Sequence, residues 1–252
     1  METRVRGIVT REMRFKETSK ILTLYTQDLG RISVMARGAY NPKSDLIANT
    51  QIFSHNAYRL HKGRSFYYIN QADVVDSFYS IREDMDRMLY GSYMLELINI
   101  STVEEDRNEK LYFLLLKGLR VLSDAKEDFL KLIISYELKY ISFLGYRPSL
   151  NTCILCNERN PKIIGFSIAR GGVICSECRG MESHCEFMDI GLWKAMNSLL
   201  YTPLDEVFPI DISEDTMFKL HTIMVKYILD RIERKQFNSL SILDAIKRNG
   251  GI

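Results

Sequence analysis

Four of the five cysteines in the chain fall into two pairs, Cys153-Ile-Leu-Cys156 and Cys175-Ser-Glu-Cys178, with 18 residues between them. That spacing is the spacing of a four-thiolate zinc site. Each C-x2-C loop sets two sulfurs on one side of a tight turn, and two such knuckles close a tetrahedron around an ion with no geometric preference of its own. With thiolates at Cys153, Cys156, Cys175 and Cys178, no position is left for water or substrate, so one structural Zn2+ per chain is expected. The competing readings are four buried small hydrophobes or two redox pairs; a redox C-x-x-C opens a helix after a βα unit, which is not the setting here. Cys185 and His184 are left over, as neighbours rather than ligands. Between the knuckles, Ile163 to Ile168 and Arg170 to Ile174 read as two strands joined at Gly171-Gly172, the hairpin of a zinc ribbon.

No other grouping suggests catalysis. The four histidines, His55, His61, His184 and His221, are scattered, and neither a nucleophile elbow nor a phosphate-binding Gly-x4-Gly-Lys loop is present. Glu104-Glu105-Asp106 reads as an interhelix loop and the acidic residues around Asp84 as a helix start favoured by the macrodipole. Binding, not an enzymatic activity, is the expectation.

The charge total hides where binding would occur. Thirty-four Lys and Arg against 32 Asp and Glu leave +2. Residues 1–64 alone hold 12 basic against 5 acidic side chains, a net +7, while the remaining residues carry 22 against 27, a net −5. A basic module on an acidic remainder suggests binding of a phosphate backbone, although a solvated basic face has the same composition. Apolar runs such as Leu111 to Leu116 are far too short to span a membrane. The amino terminus lacks the apolar core of a secretory signal, so a cytoplasmic protein with reduced thiols is expected.

These residues need elements to hold them. Up to about residue 80 the pattern is β-like. Val5 to Val9, Ile21 to Thr26, Arg31 to Ala36, Ile52 to Leu60 and Ser65 to Val75 read as five strands, and Arg37 to Ser44 as an irregular loop. Five short strands fit a small barrel of the OB type, and an SH3-like barrel has the same count. From about residue 81 the period becomes helical, with Met85, Met88, Leu89, Tyr93, Leu97 and Ile100 at three- and four-residue spacing. Further helices are predicted at 109–123, 126–144, 189–201, 213–233 and 239–247, the one at 126–144 stopped by Gly145 and Pro148.

In order and spacing these pieces resemble the bacterial RecO family of recombination mediators. The resemblance is carried by Ile8-Val9-Thr10-Arg11, Glu17 to Thr26 and Leu29 to Ala39 in the strands. Tyr93-Met94-Leu95-Glu96-Leu97 adds to it, as does Gly145-Tyr146-Arg147-Pro148-x-Leu150-x-x-Cys153 before the ribbon. It implies an α+β chain: an N-terminal OB-fold β-barrel (1–80), an all-α helical domain (81–147 and 183–252) and an inserted four-Cys zinc ribbon (148–182). It further implies a non-enzymatic DNA repair protein that binds and anneals single-stranded DNA and also meets double strands. With its partner RecR it would help load RecA onto strands coated by single-strand DNA-binding protein, near the bacterial nucleoid.

On that reading Arg11, Arg14, Lys16, Lys20, Arg31, Arg37, Lys43 and Arg64 are expected at phosphates, with Phe15, Tyr25, Tyr40 and Tyr58 as stacking candidates. The family's helical domain takes the acidic tail of single-strand DNA-binding protein, and Lys131, Lys139, Tyr136 and Tyr140 supply the needed mixture of cations and aromatics. The competing expectation is a zinc-ribbon scaffold whose basic barrel binds another protein.

Overall fold

The computed structural model of the chain describes residues 2–159, 162–182 and 185–240. Five strands, β1 (Glu2–Phe15), β2 (Ser19–Thr26), β3 (Gly30–Ala36), β4 (His55–Lys62) and β5 (Tyr67–Asp76), close into a barrel in the order β1-β2-β3-β5-β4. Strict alternation turns Val5, Val9, Leu22, Leu24, Ile32, Val34, Tyr58 and Leu60 into its core. β1 is long enough to serve two neighbours, pairing with β4 through its first half and with β2 through its second. A bulge between Val9 and Arg11 bends it between the two.

Closure is thinnest between β3 and β5, where the register consists of Val34↔Tyr67 and Met35↔Tyr68. Beside that short parallel contact, the chain between two helices fills the gap. Glu104 forms a bridge with Arg31, the Glu105 N–H donates to the Arg31 carbonyl at 2.8 Å, and Lys62 and Tyr67 both donate to the Glu105 carboxylate. Gly30 makes the approach possible. Its φ is +64°, and a Cβ there would land on the Asp106 backbone.

The helices are α1 (Tyr79–Glu83), α2 (Met85–Ser101), α3 (Glu109–Asp124), α4 (Phe129–Phe143), α5 (Ile190–Tyr201) and α6 (Glu214–Arg231). The helix start expected around Asp84 is the N-cap of α2: the extended backbone of Asp84 lets its carboxylate accept from the Arg87 N–H. The helix expected at 239–247 lies, from residue 241 on, outside the described residues. No described helix is long and apolar enough to cross a membrane.

Two compact units result, one holding the chain up to Asp124 and the segment from Phe237, the other Ala125–Gln236. The first unit thus joins the barrel with α1, α2 and α3. Buried polar contacts tie helices to barrel: Thr10 Oγ1 donates to Asn99 Oδ1 at 2.8 Å, Tyr25 OH donates to the Asn108 carbonyl, and His55 Nε2 lies 2.9 Å from Tyr112 OH.

His55 is 2% exposed and its Nδ1 has no hydrogen-bond partner among the described residues. Burial, then the charges of Arg120 and Arg6, lower its pKa to about 4. A histidine depressed on folding binds fewer protons folded than unfolded between that value and its ordinary one, so its stabilisation is lost as pH falls through that window. Urea denaturation should show the first unit weakened by about 2 kcal/mol between pH 7 and pH 5, a loss absent from His55→Phe.

In the second unit α4 is buried over nearly its whole length. It ends as the sequence indicated: Gly145 takes φ +93° and the Tyr146 N–H donates back to the Ile141 carbonyl. The ribbon sheet has the order β7-β6-β8, from β6 (Ile163–Ser167), β7 (Gly172–Cys175) and β8 (Cys185–Phe187). β8 is the strand the periodicity missed.

Candidate metal centre and nucleic-acid face

The first knuckle is built by the chain returning on itself. The Asn157 N–H donates to the Cys153 carbonyl at 2.9 Å, Asn157 takes a positive φ of 60°, and Thr152 bridges Arg159. The second follows β7, where the Cys178 N–H donates to the Cys175 carbonyl at 3.2 Å. The β6–β7 hairpin carries one onto the other. The Sγ atoms of Cys153, Cys156, Cys175 and Cys178 lie within 4.8 Å of one another, and those of Cys156 and Cys175 are 3.8 Å apart. Metal–sulfur bonds of about 2.3 Å in a tetrahedron require an edge of about 3.8 Å.

The electrostatics also fit a cation. Burial works against ionisation of Cys153, but the N–H groups of Cys156, Cys175 and Leu155 aimed at its sulfur bring it down to about 6. Burial pushes Cys178 up to about 12. Four sulfurs this close become thiolates together only around a positive ion. Cys185 stands on β8 outside the cluster, where the bare Cα of Gly165 makes room for its sulfur, and His184 lies outside the described residues.

The barrel gathers most of the expected cations at one end. Register puts the β1–β2 hairpin beside the end of β3, since Lys20 pairs Ala36, and puts the start of β5 beside it on the other side. Arg14 and Lys16 therefore stand on the hairpin, Arg37 and Lys43 on the loop after β3, and Arg64 on the β4–β5 turn, all exposed. Aromatic rings are interleaved with them. Tyr40, 42% exposed, lies 5.2 Å from the Arg14 guanidinium; Lys16 lies over Phe15; Arg37 sits 4.7 Å over Tyr68, which stacks with His61 at 5.0 Å. The loop is fixed to the hairpin by the Tyr40 N–H donating to the Thr18 carbonyl at 2.9 Å.

Other expected residues are placed differently. Lys20 is buried under Tyr40, its ammonium 2.7 Å from Glu12 Oε2. Arg31 stands at the opposite end of β3, where its Nε donates to the Thr102 carbonyl at 3.1 Å, and Arg11 is exposed on β1 opposite Thr23. Tyr25 and Tyr58 point into the core, their hydroxyls donating to the carbonyls of Asn108 and Asn49, and offer no ring for stacking. Tyr68 was missed; alternation with the core residues Tyr67 and Ile69 turns it outward on β5.

On α4, Tyr136 and Tyr140 are fully buried and stacked on each other. The Lys131 ammonium donates to Asp128 and to the Phe208 carbonyl, and that of Lys139 to Ser135 Oγ and the Leu199 carbonyl. Lys139 thus satisfies the carboxyl end of α5, where unpaired carbonyls attract cations.

Comparison with known proteins adds to this geometry. The family model described as Recombination protein O N terminal matches residues 1–78, and that described as Recombination protein O C terminal matches residues 82–241. The chain is 32% identical over 246 residues to the DNA repair protein RecO of Alkaliphilus metalliredigens, covering 98% of this chain and 100% of that one. It is 33% identical to the DNA repair protein RecO of Symbiobacterium thermophilum, covering 96% and 97%. Its identity to that of Acetivibrio thermocellus is 30%, covering 96% and 97%.

Proposed function

The chain belongs to the RecO family of DNA repair proteins, and from that membership we propose that it is a non-enzymatic mediator that binds and anneals single-stranded DNA. With RecR it helps RecA load onto strands covered by single-strand DNA-binding protein. The observation that supports the reading best is the barrel end where exposed Arg14, Lys16, Arg37, Lys43 and Arg64 alternate with Phe15, Tyr40 and Tyr68. Cations neutralise backbone phosphates without reading sequence, and rings stack on any base. Annealing needs this tolerance.

The ion in the four-thiolate site is zinc on this proposal. Cys153, Cys156, Cys175 and Cys178 would hold it, and its chemistry is structural because the donor set is complete. The acidic tail of single-strand DNA-binding protein is proposed to dock beside α4. Tyr136 and Tyr140, buried and stacked on each other, and Lys131 and Lys139, held by the carbonyls of Phe208 and Leu199, would support that surface from beneath rather than touch the tail.

Fluorescence anisotropy with a labelled oligonucleotide at two salt concentrations tests the reading. Binding that weakens steeply with salt is expected. Arg14→Ala, Arg37→Ala and Arg64→Ala together should reduce the slope of log K against log salt by about 2, three contacts at about 0.7 each for a single strand. An absence of binding at low salt sinks the proposal and leaves the scaffold reading.

A further inference from the structure

Arg4 and Arg59 face each other directly across the β1–β4 ladder, and Arg6 follows on the same outer face of β1. All three are exposed. Like charges directly opposed work against a sheet, and no ion pair among the described residues relieves them. With Gln27, Asp28 and Asp73 they line an open hollow of about 420 Å3.

The hollow continues onto a helix of the same unit. Gln27 Nε2 donates to Glu109 Oε1 at 3.0 Å at the start of α3, and Arg6 and Arg120 act together on the His55–Tyr112 pair. The outward face of α3 carries Lys110, Phe113, Lys117 and Arg120 at three- and four-residue spacing. Phe113 is 48% exposed between the cations.

We propose that this continuous face, from Arg59, Arg4 and Arg6 on the barrel to Arg120, Lys117 and Phe113 on α3, is a second track for the backbone of single-stranded nucleic acid. It rests on the DNA-binding reading above but uses none of the same side chains. Arg4 and Arg14 are ten residues apart on one extended strand, on the order of 30 Å at ~3.3 Å per residue. A line of unpaired guanidiniums with one exposed ring fits a phosphate backbone and a stacked base. A protein partner would favour an apolar centre with charge at its rim. Two separate tracks on one unit give each of two complementary strands a place, which annealing requires.

The test compares Arg6→Ala, Arg59→Ala and Arg120→Ala together with wild type, using a labelled oligothymidylate of about 30 residues across a salt series. An affinity at least tenfold weaker at low salt and a slope smaller by about 2 are expected, with no fall in Tm, because losing Arg59 relieves its opposition to Arg4. Phe113→Ala should weaken binding with the slope unchanged, because it removes stacking and not charge. If the triple variant matches wild type in affinity and slope while the Arg14, Arg37 and Arg64 variant is impaired, the second track is overturned and the DNA-binding reading stands. A wild-type protein that binds no oligonucleotide overturns both. Loss of polyglutamate binding with oligonucleotide binding intact assigns the face to an acidic protein and overturns the track.

Discussion

Cys175→Ser should remove the metal and unfold the ribbon in one step. The small core of this segment is Cys153, Ile174, Cys175 and Cys178, with Ile154, Leu155 and Cys185 against it. Three of its four buried members are cysteines of the cluster, so on the zinc reading little apolar burial remains to hold the knuckles once coordination is broken. In isolated zinc fingers the metal contributes roughly 10 to 16 kcal/mol, and in such a segment that binding energy is folding energy. Metal analysis should find close to one equivalent of zinc in wild type and almost none in the variant. Limited proteolysis should cut the variant between residues 150 and 190. Cys185→Ser is the control: its sulfur lies outside the cluster, so it should keep its zinc. A Cys175→Ser protein that keeps a full equivalent and resists protease removes the four-thiolate assignment.

Gly30→Ala should cost the first unit about 4 kcal/mol or more, against about 1 for Gly38→Ala. The two glycines share nearly the same backbone, φ +64° and +69°. They differ in surroundings: an added Cβ at Gly38 has nothing within 4 Å, whereas at Gly30 it meets the backbone of Asp106. Backbone cannot rotate aside as a side-chain tip can, so the segment that fills the β3–β5 gap must shift. A fall in Tm of about 10 °C for Gly30→Ala is expected, and the difference between the variants isolates the close approach from the φ penalty. Equal losses would show that the segment yields freely.

The four-cysteine cluster was legible because its information is local: two C-x2-C pairs and a Gly-Gly turn stand within 26 residues of chain. The barrel strands were legible for the same reason, through alternation. What escaped depends on residues distant in sequence. Nothing near Arg31 indicates that Thr102 will offer its carbonyl, and nothing near Lys20 indicates that Tyr40 will cover it. The opposition of Arg4 and Arg59 is a matter of register, decided by the whole β1–β4 ladder. β8 has three residues, too few to display a period. Tyr136 and Tyr140 lie on a helix whose faces are buried nearly all round, where an amphipathic reading has no purchase.

The filled gap between β3 and β5 also limits how the chain can be divided. The two family descriptions meet between residues 78 and 82, yet Glu104 and Glu105, which complete the wall beside Arg31 and Tyr67, lie well beyond that point. A fragment ending at residue 80 would carry an unsealed strand edge, the kind of surface that recruits other chains into mixed sheets. The smallest piece that keeps its own wall runs past Glu105 into α3, so the barrel is sealed by chain that follows it in sequence.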